Sequence, residues 1–238
     1  MALLKVVCPS NLMGEVRGLK AKELDSLGNA NRSNVFDDVL KACWTNTEDF
    51  GPYDEKTFSW KNALSGDRFY VLLQIFVATH GLKYTFPFQC VNRPACGAKH
   101  RYEQNISELA VQKLSDSDAE SFKSGNRVHA VLPNGKKYSY KLLTGVEEEK
   151  LAKLAKKSNK SLTSSLYVRL HEIEGVDNTA LLDYLGEMDL SDVNVMLQEM
   201  EQHDCGVETK IDLTCPSCYE NMETNLPLDR NYFFPARK

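Results

Sequence analysis

Seven cysteines stand in this chain of 238 residues, and four of them fall into two pairs close in sequence. In Cys215-Pro216-Ser217-Cys218 two residues separate the sulfurs. That spacing lets both thiolates of a tight turn reach one ion at about 2.3 Å. Cys90 and Cys96 enclose the longer stretch Val91-Asn92-Arg93-Pro94-Ala95, wider than the usual knuckle, although Cys96-Gly97 keeps its look and Pro94 would stiffen the loop. Four thiolates from two such turns complete a tetrahedron around zinc, giving a zinc ribbon split by a long insertion. A closed four-ligand site has no open position for water or substrate, so one structural zinc per chain is the expectation. Two other readings stay open. His100, four residues after Cys96, could replace one cysteine as ligand, or the thiols could be buried or free with no metal, including disulfides in an oxidised preparation.

The remaining reactive residues suggest little chemistry. Cys43 falls on an apolar helical face and Cys205 at a helix end, and both, with Cys8, read as core residues. The five histidines are scattered: His80, His100, His129, His171 and His203. No His-Glu-x-x-His, Gly-x-Ser-x-Gly or phosphate-loop pattern occurs. Asp67-Arg68 could form a dyad, but a helix-start acid beside a salt-bridging arginine is the simpler reading. Asp116, Asp118 and Glu120 sit in a polar stretch that reads as a solvated loop. The lysine run Lys150, Lys153, Lys156, Lys157 and Lys160 could meet nucleic acid or an acidic partner; a solvated helix face is the plainer account. No enzyme is expected, no catalytic residue is assigned, and no small-molecule substrate is implied.

The elements that would hold the cysteines can be read from periodicity. Lys83 to Gln89 and Lys99 to Asn105 form a hairpin around the first pair, and Glu208 to Thr214 with Tyr219 to Leu226 a second hairpin around the other. Residues 15 to 19 alternate as a strand. Helices are expected from Ala21 to Leu27, from Ser33 with Val35, Phe36, Val39, Leu40 and Cys43 on one face, and from Asp67 to His80, closed by Gly81. Residues 45 to 65, with Gly51-Pro52, read as a loop, and 115 to 126 as an exposed connection. Pro133-Asn134-Gly135 marks a hairpin within Arg127 to Leu143. Val146 to Gln202 reads as helical, with segments at Ser164 to Ile173, Thr179 to Leu185 and Ser191 to Gln202.

A hydrophobic content of 42% supports a core, and 26% charged residues is ordinary for a globular chain. The net charge of −4 argues against a protein built chiefly to grip nucleic acid. The apolar Met1 to Val7 is too short for a signal peptide, and no run approaches the length of a membrane helix. A reducing, cytosolic setting is therefore expected, where cysteines favour metal over disulfides.

Pro9-Ser10-Asn11-Leu12 with Glu15-Val16-Arg17-Gly18-Leu19-Lys20, then Gly66-Asp67-Arg68-Phe69-Tyr70, the paired cysteine turns, Leu226-Pro227-Leu228 and Phe233-Phe234-Pro235 together resemble the baseplate proteins of contractile, T-even-like phages. The order of these motifs spans nearly the whole chain. Asn11 departs from the pattern, standing where relatives have glycine, as does the wide first cysteine pair. The resemblance implies a virion-morphogenesis protein, a hub subunit or hub assembly chaperone. Its partners would be other tail or baseplate proteins, met in the host cytoplasm during assembly or in the virion. The runner-up is a zinc-ribbon nucleic-acid-binding or transcription-associated module. The expected fold is α+β: a mainly helical part over 1–82, ribbon halves at 83–106 and 207–228, an inserted hairpin with helices over 107–206, and an aromatic tail at 229–238. Cys90, Cys96, Cys215 and Cys218 are the expected metal ligands.

Overall fold

The computed structural model describes residues 3–28, 35–92, 95–155 and 161–227. Strands β1 (Leu4–Val7) and β2 (Met13–Val16) pair antiparallel across a tight turn in which the Cys8 amide donates to the Leu12 carbonyl at 2.8 Å. Asn11 sits in that turn with φ of 68°. Helix α1 (Ala21–Gly28) is capped by Glu23, whose carboxylate accepts from the Lys20 amide at 2.7 Å and pairs with Arg17 at 3.0 Å. Helix α2 (Val35–Cys43) buries Val35, Val39, Leu40 and Cys43, the face expected from its spacing. Its expected cap, Ser33, lies outside the described residues.

Strand β3 (Trp44–Asp49) pairs with β2, so the stretch from 45 read as loop opens as a strand. Its sequence hides this because no residue in it is fully buried, and backbone pairing to β2 supplies the order that side-chain alternation does not. Helix α3 (Ser65–His80) follows, with buried residues on several sides, including Val71, Leu73, Ile75 and Phe76. Strands β4 (Lys83–Gln89) and β5 (Lys99–Asn105) then form the first cysteine hairpin with the boundaries expected.

After a short 3-10 turn, β6 (Val111–Gln112) leads to α4 (Asp116–Lys123). This corrects the reading of 115–126 as an exposed connection. The Ser115 hydroxyl accepts from the Asp118 amide at 3.1 Å, and Asp118 is buried. Ser115-x-x-Asp118 is a helix-start signature that outweighs the polar composition. Strands β7 (Val128–Val131) and β8 (Lys137–Tyr140) flank Asn134-Gly135 as expected. Helices α5 (Gly145–Ala155) and α6 (Ser161–Arg169) precede β9 (Leu170–Ile173), which pairs with β8. The helix expected through Ile173 therefore stops at Arg169, because the open edge of β8 recruits the alternating Leu170-His171-Glu172-Ile173. Helices α7 (Leu181–Gly186) and α8 (Leu190–His203) lead to β10 (Gly206–Val207), which pairs back with β6. Strands β11 (Lys210–Thr214) and β12 (Asn221–Asn225) form the second cysteine hairpin.

The architecture is α+β, with small antiparallel sheets among helices. Buried side chains form two clusters. One joins the N-terminal sheet, α2 and α3 to both cysteine hairpins, through residues such as Leu12, Leu40, Ile75, Phe86, Leu213 and Met222. The other gathers β7, β8, β9 and the helices after them around Tyr140, Leu166, Leu185 and Met196. No helix among the described residues is long and apolar enough to cross a membrane. The aromatic run 231–235 lies outside the described residues.

Candidate metal centre

Each cysteine pair sits where a hairpin closes. In the first, the Cys90 amide donates to the Ala98 carbonyl at 2.9 Å, and the Cys96 and Gly97 amides both donate to the Asn92 carbonyl. In the second, the Cys215 amide donates to the Glu220 carbonyl at 2.9 Å and the Tyr219 amide to the Cys215 carbonyl at 2.8 Å. The residue after each second cysteine has positive φ: 62° at Gly97 and 60° at Tyr219. Glycine adopts this conformation without strain and tyrosine does not. The two turns thus share one design despite their unequal spacing.

The hairpins bring the four ligand atoms together. All four sulfurs lie within 4.8 Å of one another. Cys90 and Cys218 approach to 3.6 Å, and Cys96 and Cys215 to 3.9 Å, each contact crossing from one hairpin to the other. A tetrahedral ion with sulfurs at about 2.3 Å requires sulfur–sulfur edges of about 3.8 Å. The cage therefore has the dimensions of a tetrathiolate site, and Cys90 and Cys215 are fully buried within it.

Its electrostatics favour a cation. Burial raises the Cys215 thiol, but the amides of Ser217 and Cys218 and the neighbouring thiols of Cys218 and Cys90 outweigh it and lower the group to about 6. Burial raises the Cys90 thiol against the opposing Asn92 amide. For Cys218 the Glu220 amide pulls downward, yet burial and the thiols of Cys215 and Cys96 leave it raised. One thiolate forms readily and its neighbours resist the accumulation of like charge, which a divalent ion would relieve. His100 stands just outside the cage. Its Nε2 lies 3.1 Å from the Ser217 hydroxyl and 3.6 Å from the Cys215 sulfur, the position of an outer partner that orients a ligand.

Other singled-out residues are placed elsewhere. Cys8 and Cys43 are buried in the core, and burial pushes the Cys43 thiol up to about 11. Cys205 is partly exposed, and burial raises its thiol too. Asp67 and Arg68 serve separate partners. The Asp67 carboxylate accepts from the Ser10 amide at 3.0 Å, from the Ser10 hydroxyl, and from the Tyr53 hydroxyl at 2.6 Å. Burial nevertheless holds its carboxyl above the ordinary value. Arg68 turns away to Asp37 at 2.5 Å, Glu148 at 3.2 Å and the Trp60 carbonyl. The Asp116, Asp118 and Glu120 group is not a metal cluster among the described residues; Asp118 instead meets His203 at 2.6 Å. The sequence reading missed that contact, and the helix-start signature at Ser115 was the available clue.

Compared with known families, the sequence matches the profile described as T4 bacteriophage base plate protein over residues 5–234. The chain belongs to this base plate protein family. No curated protein and no solved structure matches it. Two of the stretches that carry the sequence resemblance, Pro9-Ser10-Asn11-Leu12 and Gly66-Asp67-Arg68, far apart in sequence, meet through the Ser10–Asp67 hydrogen bonds. Membership places the chain among phage tail structural proteins and implies contact with other tail proteins.

Proposed function

We propose that the chain is a non-enzymatic baseplate protein, acting as a hub component or hub assembly factor, whose Cys90, Cys96, Cys215 and Cys218 hold one structural zinc ion. The zinc reading rests on one observation, the convergence of four sulfurs within 4.8 Å from turns more than a hundred residues apart. Thiolates at tetrahedral spacing suit zinc, and a closed four-sulfur set leaves no place for a reacting water. The ion would clamp the two halves of a ribbon-like unit, 83–106 and 207–228. The 1–82 segment would support that unit, and 107–206 would be an insertion with its own core. The separation of the buried residues into two clusters supports this division.

Two measurements test the reading. Elemental analysis of reduced, purified protein should give one zinc per chain, falling to near none in Cys215→Ser/Cys218→Ser. Substantially less than one zinc in the parent protein would overturn the site. Quantitative mass spectrometry of purified tails should find the chain at a fixed small copy number if it is a hub component. Abundance in infected cells with absence from tails would assign it to assembly, and absence of any tail association would refute both roles.

A further inference from the structure

The lysines of α5 belong to a second feature, independent of the cysteine site. Beside α5, α6 and β9 lies a groove of about 500 Å3 lined by Lys141, Lys150 and Lys153. Its apolar lining includes half-buried Leu154 and Tyr167, 39% exposed, together with the buried Leu170 and Leu181. Among the described residues, none that line the groove is acidic.

The local charge does not balance. Glu147 serves both Lys141, at 3.7 Å, and Lys150, at 3.4 Å. Glu149 serves both Lys153, at 2.7 Å, and Lys61, at 2.5 Å. Among the described residues the three groove lysines thus share two carboxylates, one of which also serves Lys61 outside the groove, a surplus of one positive charge. His171 adds none: burial holds its pKa below the ordinary value, and its Nε2 lies 3.1 Å from the Asn126 carbonyl.

We propose that this groove docks an acidic amphipathic segment of a partner protein, its carboxylates on Lys141, Lys150 and Lys153 and its apolar side chains over Leu154 and Tyr167. Opposite charge at a groove's rim steers and orients a partner, while the apolar surface between supplies the burial. A nucleic acid would satisfy the lysines through its phosphates but would leave the aliphatic lining without a matching surface.

The test uses the full-length chain and fluorescence anisotropy. The probe is a labelled helical peptide of glutamate and leucine with its leucines on one face. A peptide of the same composition in scrambled order and a single-stranded DNA oligonucleotide serve as comparisons. Saturable binding of the amphipathic peptide is expected, roughly tenfold tighter than the scrambled one and weaker at high salt. Lys150→Gln/Lys153→Gln and, separately, Tyr167→Ser should each weaken it several-fold, while Lys150→Arg/Lys153→Arg retains it. Circular dichroism checks that each variant is folded; if the glutamine pair is not, the salt dependence of the parent and the Tyr167 variant decide. Equal binding of both peptides, preference for DNA, or no saturable binding would each overturn the proposal.

Discussion

Asn11 and Tyr219 are non-glycine residues held at positive φ, 68° and 60°. Asparagine tolerates this region better than other L-residues because its short polar side chain can bond locally. That explains how Asn11 holds the turn that carries Ser10. Asn11→Gly should stabilise the protein by about 0.5 kcal/mol, and Asn11→Val should destabilise it by roughly 1–2 kcal/mol, measured by denaturant unfolding. Tyr219→Gly should gain about 0.5–1 kcal/mol with zinc content unchanged. A further residue-scale prediction concerns acid. Burial alone would raise Glu23, but Arg17 and the Lys20 amide outweigh it and hold the carboxyl below its ordinary value. The folded group therefore binds its proton less tightly than the unfolded one. Its stabilisation is fully present above about pH 4.3 and is lost as pH falls through the folded-state value. Glu23→Gln should flatten stability against pH across that acid window, read from denaturation midpoints.

At the scale of elements, the start of α3 is pressed against β10. A Cβ on Gly66 would lie 2.0 Å from the Cys205 carbonyl oxygen and 2.9 Å from the Gly206 Cα. Both are backbone atoms, so the contact can be relieved only by moving the helix or the strand. Gly66→Ala should cost roughly 2–3 kcal/mol in denaturant unfolding, with hydrogen exchange rising at the β6–β10 pair. The glycine of Gly66-Asp67-Arg68 thus lets the helix approach closely, and Asp67 then fixes the β1–β2 turn through Ser10. This motif is a packing device joining three elements, which is why its acid and arginine do not act on one another.

At the scale of the whole molecule, Arg68 joins parts far apart in the chain. Its partners Asp37 and Glu148 lie on α2 and α5, and the Trp60 carbonyl accepts a further hydrogen bond from the guanidinium. The guanidinium is nearly buried, whereas Glu148 is 41% exposed, so screening reduces what that pair contributes. Arg68→Met should cost about 2 kcal/mol, mainly by leaving the Trp60 carbonyl and Asp37 without their donor. Hydrogen exchange should rise together at α2 and the start of α5; a rise at one alone would show that Arg68 does not couple them. Zinc removal belongs to the same scale. If metal binding contributes on the order of 10 kcal/mol to folding, a strong chelator should lower the melting temperature and loosen both cysteine hairpins at once.

The sequence by itself determined the hairpins around the cysteines, the helices α1, α2 and α3 and the turn at Asn134-Gly135. These depend on local spacing and on residues with one strong conformational preference. It also marked the four cysteines as candidate ligands. The tertiary structure decided what depends on a partner distant in sequence. Strand β3 buries none of its residues fully and is ordered by pairing with β2; β9 forms because β8 offers an open edge; α4 is held by the contact of Asp118 with His203. The approach of the sulfurs of Cys90 and Cys218 required the packing of two hairpins onto a common core. That closeness is a property of the assembled chain, because no local preference can bring residues 128 positions apart to 3.6 Å.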